Sequence, residues 1–140
     1  MIISFDIHGV IDTYTDIFKK TMLMSRSLGV DVYVLTGPPE KEAKAELDEL
    51  GLIPGFHYDG IISVVDWLKK TLPSDAMWQD DNGEWWCDDE DWWNAKAKIC
   101  VEYDIFTHYD DSVKYLAGWD NIGCLTKFML VKNEEVEELR

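Results

Sequence analysis

Basic residues are scarce in this chain. Its 140 residues hold 13 Lys and Arg against 28 Asp and Glu, a formal charge of −15. Nucleic acid and anionic membranes are bound through lysine and arginine that displace counterions, so neither is an expected partner. Cysteine is sparse too: Cys87, Cys100 and Cys124 are odd in number, widely spaced, and form no C-x-x-C pair. Reduced thiols in a cytoplasm are the simplest reading, and a zinc site would lack the close ligand pairs such sites use. No apolar run approaches the ~20 residues of a membrane-spanning helix, and the chain enters a strand without a basic leader, which predicts a cytoplasmic protein. There is no Pro/Gly/Ser-rich linker and no internal repeat. What is present is a 46% apolar composition, enough at this length for one domain with a real core and too little for two.

The run MIISFDI is continuously apolar and β-branched, as a strand buried on both faces should be. From Tyr14 to Leu28 apolar or small residues recur at the helical period, and Gly29 stands where a C-terminal cap belongs. DVYVLTG predicts a second strand. Pro38 and Pro39 open a helix lined by Ala43, Leu47 and Leu50 and ended by Gly51. GIISVV predicts a third strand and VVDWLKKTL a helix stopping at Pro73. WWNAKAKICVEY predicts a helix and IFTHYDD a fourth strand. DSVKYLAG predicts a short helix closed by Gly118, and GCLTKFMLV a fifth strand. NEEVEELR is a polar tail with one or two helical turns. This alternation predicts an α/β fold: a three-layer, Rossmann-like, mostly parallel sheet of about five strands spanning residues 1–131, with residues 132–140 as the tail.

In such sheets ligands bind beyond the carboxyl ends of the strands. Asp6 and His8 follow the first strand, Thr36 and Gly37 the second, Asp110 and Asp111 the fourth, and Lys96 lies on the preceding helix. Three clustered aspartates repel one another unless a cation neutralises them. A hard divalent ion held by oxygen does so, and Mg2+ characteristically takes one or two carboxylates together with a phosphate. Thr36 and the Gly37 N–H can hold anionic oxygens; Pro38 and Pro39 have no N–H to add. The set suits a phosphoryl group.

The order of these residues resembles that of the haloacid dehalogenase-like (HAD) superfamily of phosphotransferases. FDIHGVIDT is similar to its first motif, VYVLTG to its second, the lysine of NAKAKICVEYDI to its third and THYDDS to its fourth; HYDGIIS resembles the short strand after the second motif's helix. The resemblance spans about residues 1–71 and 94–131. It implies Mg2+-dependent phosphate chemistry through an aspartyl-phosphate. Asp6 would be the nucleophile and a metal ligand, the backbone carbonyl of His8 a second ligand, and Asp110 or Asp111 the remaining carboxylate. Thr36 and Lys96 would grip the phosphoryl group, with Lys98 the rival lysine. Residues two apart on a helix face different ways, so only one of the two should reach the site.

His8 departs from the family pattern, which usually has a second aspartate there as general acid and base. Histidine can do that work, with an ordinary pKa of about 6.5. Three readings stand side by side: a true proton shuttle, a site tuned for slow turnover or mere phosphate binding, and a side chain without a role. Bland readings exist elsewhere too. Asp111 suits an N-cap, Thr36 a turn, and His57 and His108 suit satisfied polar positions rather than ligands.

Residues of about 72–93 form an acidic insertion holding Trp78, Trp85, Trp86, Trp92 and Trp93, five of the seven tryptophans. Asp81–Asn82–Gly83 between aromatic segments predicts a hairpin turn. In HAD-like proteins an insertion here can form a cap. The rings would stack on a nucleobase or sugar, or else cover a sheet edge or form a self-association surface. The expected activity is hydrolysis of a small monophosphate, a nucleotide or sugar phosphate. The alternative is a catalytically weak or inactive phosphate- or partner-binding protein.

Overall fold

The computed structural model describes residues 1–140. Strands and helices alternate as β1 (Ile2–Phe5), α1 (Thr15–Ser27), β2 (Asp31–Thr36), α2 (Glu40–Glu49), β3 (Gly60–Ser63) and α3 (Val64–Thr71). After a hairpin of β4 (Trp78–Gln79) and β5 (Trp85–Trp86) come α4 (Asp89–Glu102), β6 (Ile105–Asp110), a 3-10 turn at Val113–Tyr115, α5 (Leu116–Ile122), β7 (Lys127–Lys132) and β8 (Glu135–Glu138). The main sheet runs in the order β3-β2-β1-β6-β7-β8, parallel throughout except that β8 pairs antiparallel with β7.

The period of two in the strands sends side chains to both faces, and each face meets helices. Val32 and Val34 of β2 pack with Phe18 and Met22 of α1 and Ala43 and Leu47 of α2. Leu35, one residue on, joins the opposite core with Leu68 of α3, Ile99 of α4 and Trp119 of α5. Trp119 is fully buried, and its indole N–H donates to the Thr126 carbonyl at 2.8 Å. Burying apolar area on both faces is the main force holding the three layers together.

Two expectations need correction. The sheet has six strands, not about five, because the tail forms β8 rather than helical turns. Its residues, Glu135 to Glu138, are all exposed, so hydrophobic pattern gave no strand signal there. What holds them is backbone: beyond the ladder, Leu139 N–H donates to the Phe128 carbonyl at 2.9 Å and Phe128 N–H to Arg140 at 3.0 Å. Gly118 does not close a helix. It lies buried inside α5, where its bare α-carbon rests against the α4 backbone at Trp93 and Asn94, and Gly123 in the left-handed region ends the helix. No helix is long and apolar enough to cross a membrane.

Candidate functional site

The chain builds β1, β2 and β3 in one direction, then returns to place β6 on the other side of β1. The crossovers from these two neighbours leave in opposite directions, so a crevice opens between their carboxyl ends. Asp6 ends β1 and Asp110 ends β6, and the Asp6 N–H donates to the Tyr109 carbonyl at 3.0 Å, locking the two strand ends together. After Asp6 the backbone makes a tight turn, with His8 at φ −71, ψ 125 and Gly9 at φ 77, ψ −2. These are the angles of a type II turn, which requires a positive φ at its second central position and so favours glycine. Gly9 is required twice over, because a β-carbon there would strike the Asp111 carboxylate. The absence of that carbon lets Asp111 lie against the turn.

Carboxylate oxygens of Asp6, Asp110 and Asp111 lie within 4.8 Å of one another. Lys96, fully buried on α4, reaches Asp6 Oδ2 at 3.0 Å and Asp110 Oδ2 at 2.6 Å, with its ammonium 4.1 Å above the Tyr115 ring. Burial alone would lower the lysine's pKa, yet Asp110 and Asp6 together raise it, so Lys96 stays charged. Burial likewise works to raise Asp110, but the Lys96 charge and the hydrogen bond from His108 hold it well below the usual carboxylate range. Asp111 moves the other way: partial burial, then the charges of Asp110 and Asp6, push it up.

Every residue placed at a strand end by sequence comes to this edge, but not all converge. Lys98 is exposed, and Lys96 is the lysine that reaches the carboxylates. Thr36 is fully buried and its Oγ1 has no hydrogen-bond partner. A buried hydroxyl left unpaired carries a desolvation cost that an incoming oxygen would relieve. The Glu40 N–H at the start of α2 adds no donor to the Gly37 N–H expected there, because it already donates to Asp66 Oδ2 at 2.9 Å. His8 stands on the cavity wall with its side chain 54% exposed, and its Nε2 meets Glu46 Oε2 of α2 at 2.7 Å.

Ser4 and His108 were missed as parts of this network. His108 is fully buried, with Nε2 2.8 Å from Asp110 Oδ2 and Nδ1 2.7 Å from Ser4 Oγ. An ionised carboxylate only accepts, so Nε2 carries a proton, and with a neutral ring the serine hydroxyl donates to Nδ1. The signal was available: His108 and Asp110 are two apart on one strand, hence on one face, as are Ser4 and Asp6. His57 is a satisfied polar residue, its Nδ1 accepting the Ile53 N–H at 2.9 Å.

The β4–β5 hairpin covers this edge. Asp80 organises it, accepting the N–H groups of Asn82 and Glu84 on Oδ1 and the Trp86 indole N–H on Oδ2. Between hairpin, α2 and α4 lies a cavity of about 820 Å³ that reaches Asp6 and Asp111, with Trp85, Trp86, Trp92, Trp93 and Tyr115 on its walls. The insertion is thus placed over the strand ends and does not merely shield a sheet edge. Compared with known proteins, the chain matches no family model, no curated protein and no solved structure.

Proposed function

We propose that the protein is a Mg2+-dependent phosphomonoester hydrolase of HAD-like type, acting on a small monophosphate. The observation that carries this reading is the cluster of three carboxylates with a buried, charged lysine, opening into a cavity of ligand size. The donor set fits a hard cation: all oxygen, more negative than one lysine can balance. Asp6, Asp111 and the main-chain carbonyl of His8 would hold it. Asp111 fits better than Asp110 as the direct ligand, because Asp111 lines the cavity, whereas Asp110 is fully buried away from it with Lys96 and His108 on Oδ2 and the Ser112 N–H on Oδ1. Bound there, Mg2+ would neutralise the carboxylates and would draw charge from a phosphoryl oxygen.

The chain's own residues then do the rest. Asp6 attacks phosphorus, the ester P–O bond breaks, and the leaving oxygen takes a proton from the protonated His8 ring. Water next attacks the acyl-phosphate while His8 takes its proton back, releasing inorganic phosphate and restoring the Asp6 carboxylate. Glu46 holds Nε2, which leaves Nδ1 for this proton traffic. Lys96 holds the Asp6 carboxylate in place through their 3.0 Å ion pair, and Thr36 Oγ1 meets a phosphoryl oxygen.

The test is phosphate release from p-nitrophenyl phosphate with and without Mg2+. Parent activity should require the metal, and Asp6→Asn should lower it about 1,000-fold or more. Turnover undiminished in Asp6→Asn would end this reading. The exposure of His8 and its bond to Glu46 favour, as second reading, a weak or inactive phosphate-binding protein. A nearly inert parent that gains turnover on His8→Asp identifies that case.

A further inference from the structure

The wall of the cavity away from Asp6 carries a pattern that the phosphate chemistry does not use. Of its twenty lining residues none is Lys or Arg, while Glu42, Glu84 and Asp89 add to Asp6 and Asp111. None of these three added carboxylates is paired with a lysine, arginine or histidine of the protein. They stand among tryptophan rings. Trp85 already has the Lys69 ammonium over it at 3.9 Å, and Trp93 has Lys114 at 5.5 Å, but Trp86 and Trp92 carry no cation from the chain. Aromatic faces beside unpaired carboxylates attract organic cations, by ring quadrupole and by charge, and they disfavour a second anionic group.

Building on the phosphatase reading, we infer that the substrate is a phosphomonoester whose alcohol portion bears an ammonium group, seated between Trp86, Trp92 and the carboxylates of Glu84 and Asp89. One end of the ligand then sits at the Asp6 and Asp111 end of the cavity and the other meets the hairpin. The cavity has opposite preferences at its two ends: it accepts a monophosphate that is zwitterionic and rejects one with a carboxylate or further phosphate at the far end.

Two measurements test this separately from turnover. In the first, tryptophan fluorescence of the full chain is titrated with choline and with its uncharged carbon isostere, 3,3-dimethylbutanol, at constant ionic strength. Saturable binding of choline alone is expected, weakened about threefold to thirtyfold by Trp86→Ala and by Glu84→Gln. In the second, kcat/KM is compared for choline phosphate and 3,3-dimethylbutyl phosphate, with at least a tenfold preference expected for the cation. Choline binding without hydrolysis of any ester would leave the ammonium subsite standing and remove the phosphatase, and the substrate assignment with it. Hydrolysis of both esters at equal kcat/KM, with choline and its isostere indistinguishable in the titration, would overturn the inference and keep the phosphatase.

Discussion

Cys100 on α4 and Cys124 beyond α5 are distant in sequence, yet the packing of α4 on α5 brings their thiols together. The neighbouring Cys100 thiol, opposed by partial burial, holds Cys124 down to about 6, while burial drives Cys100 well above the ordinary thiol value. Thiolate is the reactive form, so Cys124 should be alkylated by iodoacetamide first, with a rate midpoint near pH 6. Mass mapping of singly modified protein checks this; first labelling at the buried Cys87 would contradict it. The sequence showed three scattered cysteines and no pair, because proximity came from the packing of α4 on α5. Site residues were more legible. Asp6, Lys96 and Asp110 could be placed because each lies at a strand end or on the helix behind one. His108 read as a satisfied polar residue, which it is; its bond to Asp110 was not foreseen, although the spacing of two puts both side chains on one face of the strand.

Elements with a burial pattern were legible, and those held by backbone alone were not. The strands β1, β2 and β6 announce themselves by β-branched runs, whereas β8 is all solvent-facing and acidic. The same limit applied to α5, where Gly118 read as a stop signal although its real constraint is the approach of α4. A methyl group at that position would collide with the Trp93 carbonyl, and backbone cannot rotate away as a side chain can. Gly118→Ala should therefore destabilise the fold by about 1–3 kcal/mol, despite alanine's better helix propensity. The urea midpoint measures it, and an unchanged or higher midpoint would show that α4 and α5 separate freely. Displacement of α5 would also disturb Trp119, whose loss to alanine should cost about 3–5 kcal/mol.

For the whole molecule, acid stability follows from the sign of each shift. Burial, aided by the Lys19 charge, lowers the pKa of His57 from 6.5, so the unfolded chain binds that proton first and stability begins to fall below about pH 6.5. Asp59, bonded by Arg26, and Asp110 are held below 3.8 in the fold, so their contributions persist until the pH drops under 3.8 and then disappear. Asp111 is raised and acts in reverse, slightly favouring the fold as it takes up its proton. Cys124, held down to about 6, adds stability above that value that is lost as the pH falls through it, so the test uses a Cys124→Ser background. There urea midpoints in metal-free buffer should decline gently from pH 6.5 and steeply under pH 4, and His57→Gln should flatten the upper limb alone. The route of the chain has one more effect. Ser4 and His108, which join the two halves of the crevice, are 104 positions apart, and the hairpin tip at Asn82–Gly83 falls between them, exposed. A cut at that tip would part Asp6 from Lys96, Asp110 and Asp111, so the acidic cluster would exist only on reassembly, and the phosphate release proposed for it would report whether two separately made pieces have found each other.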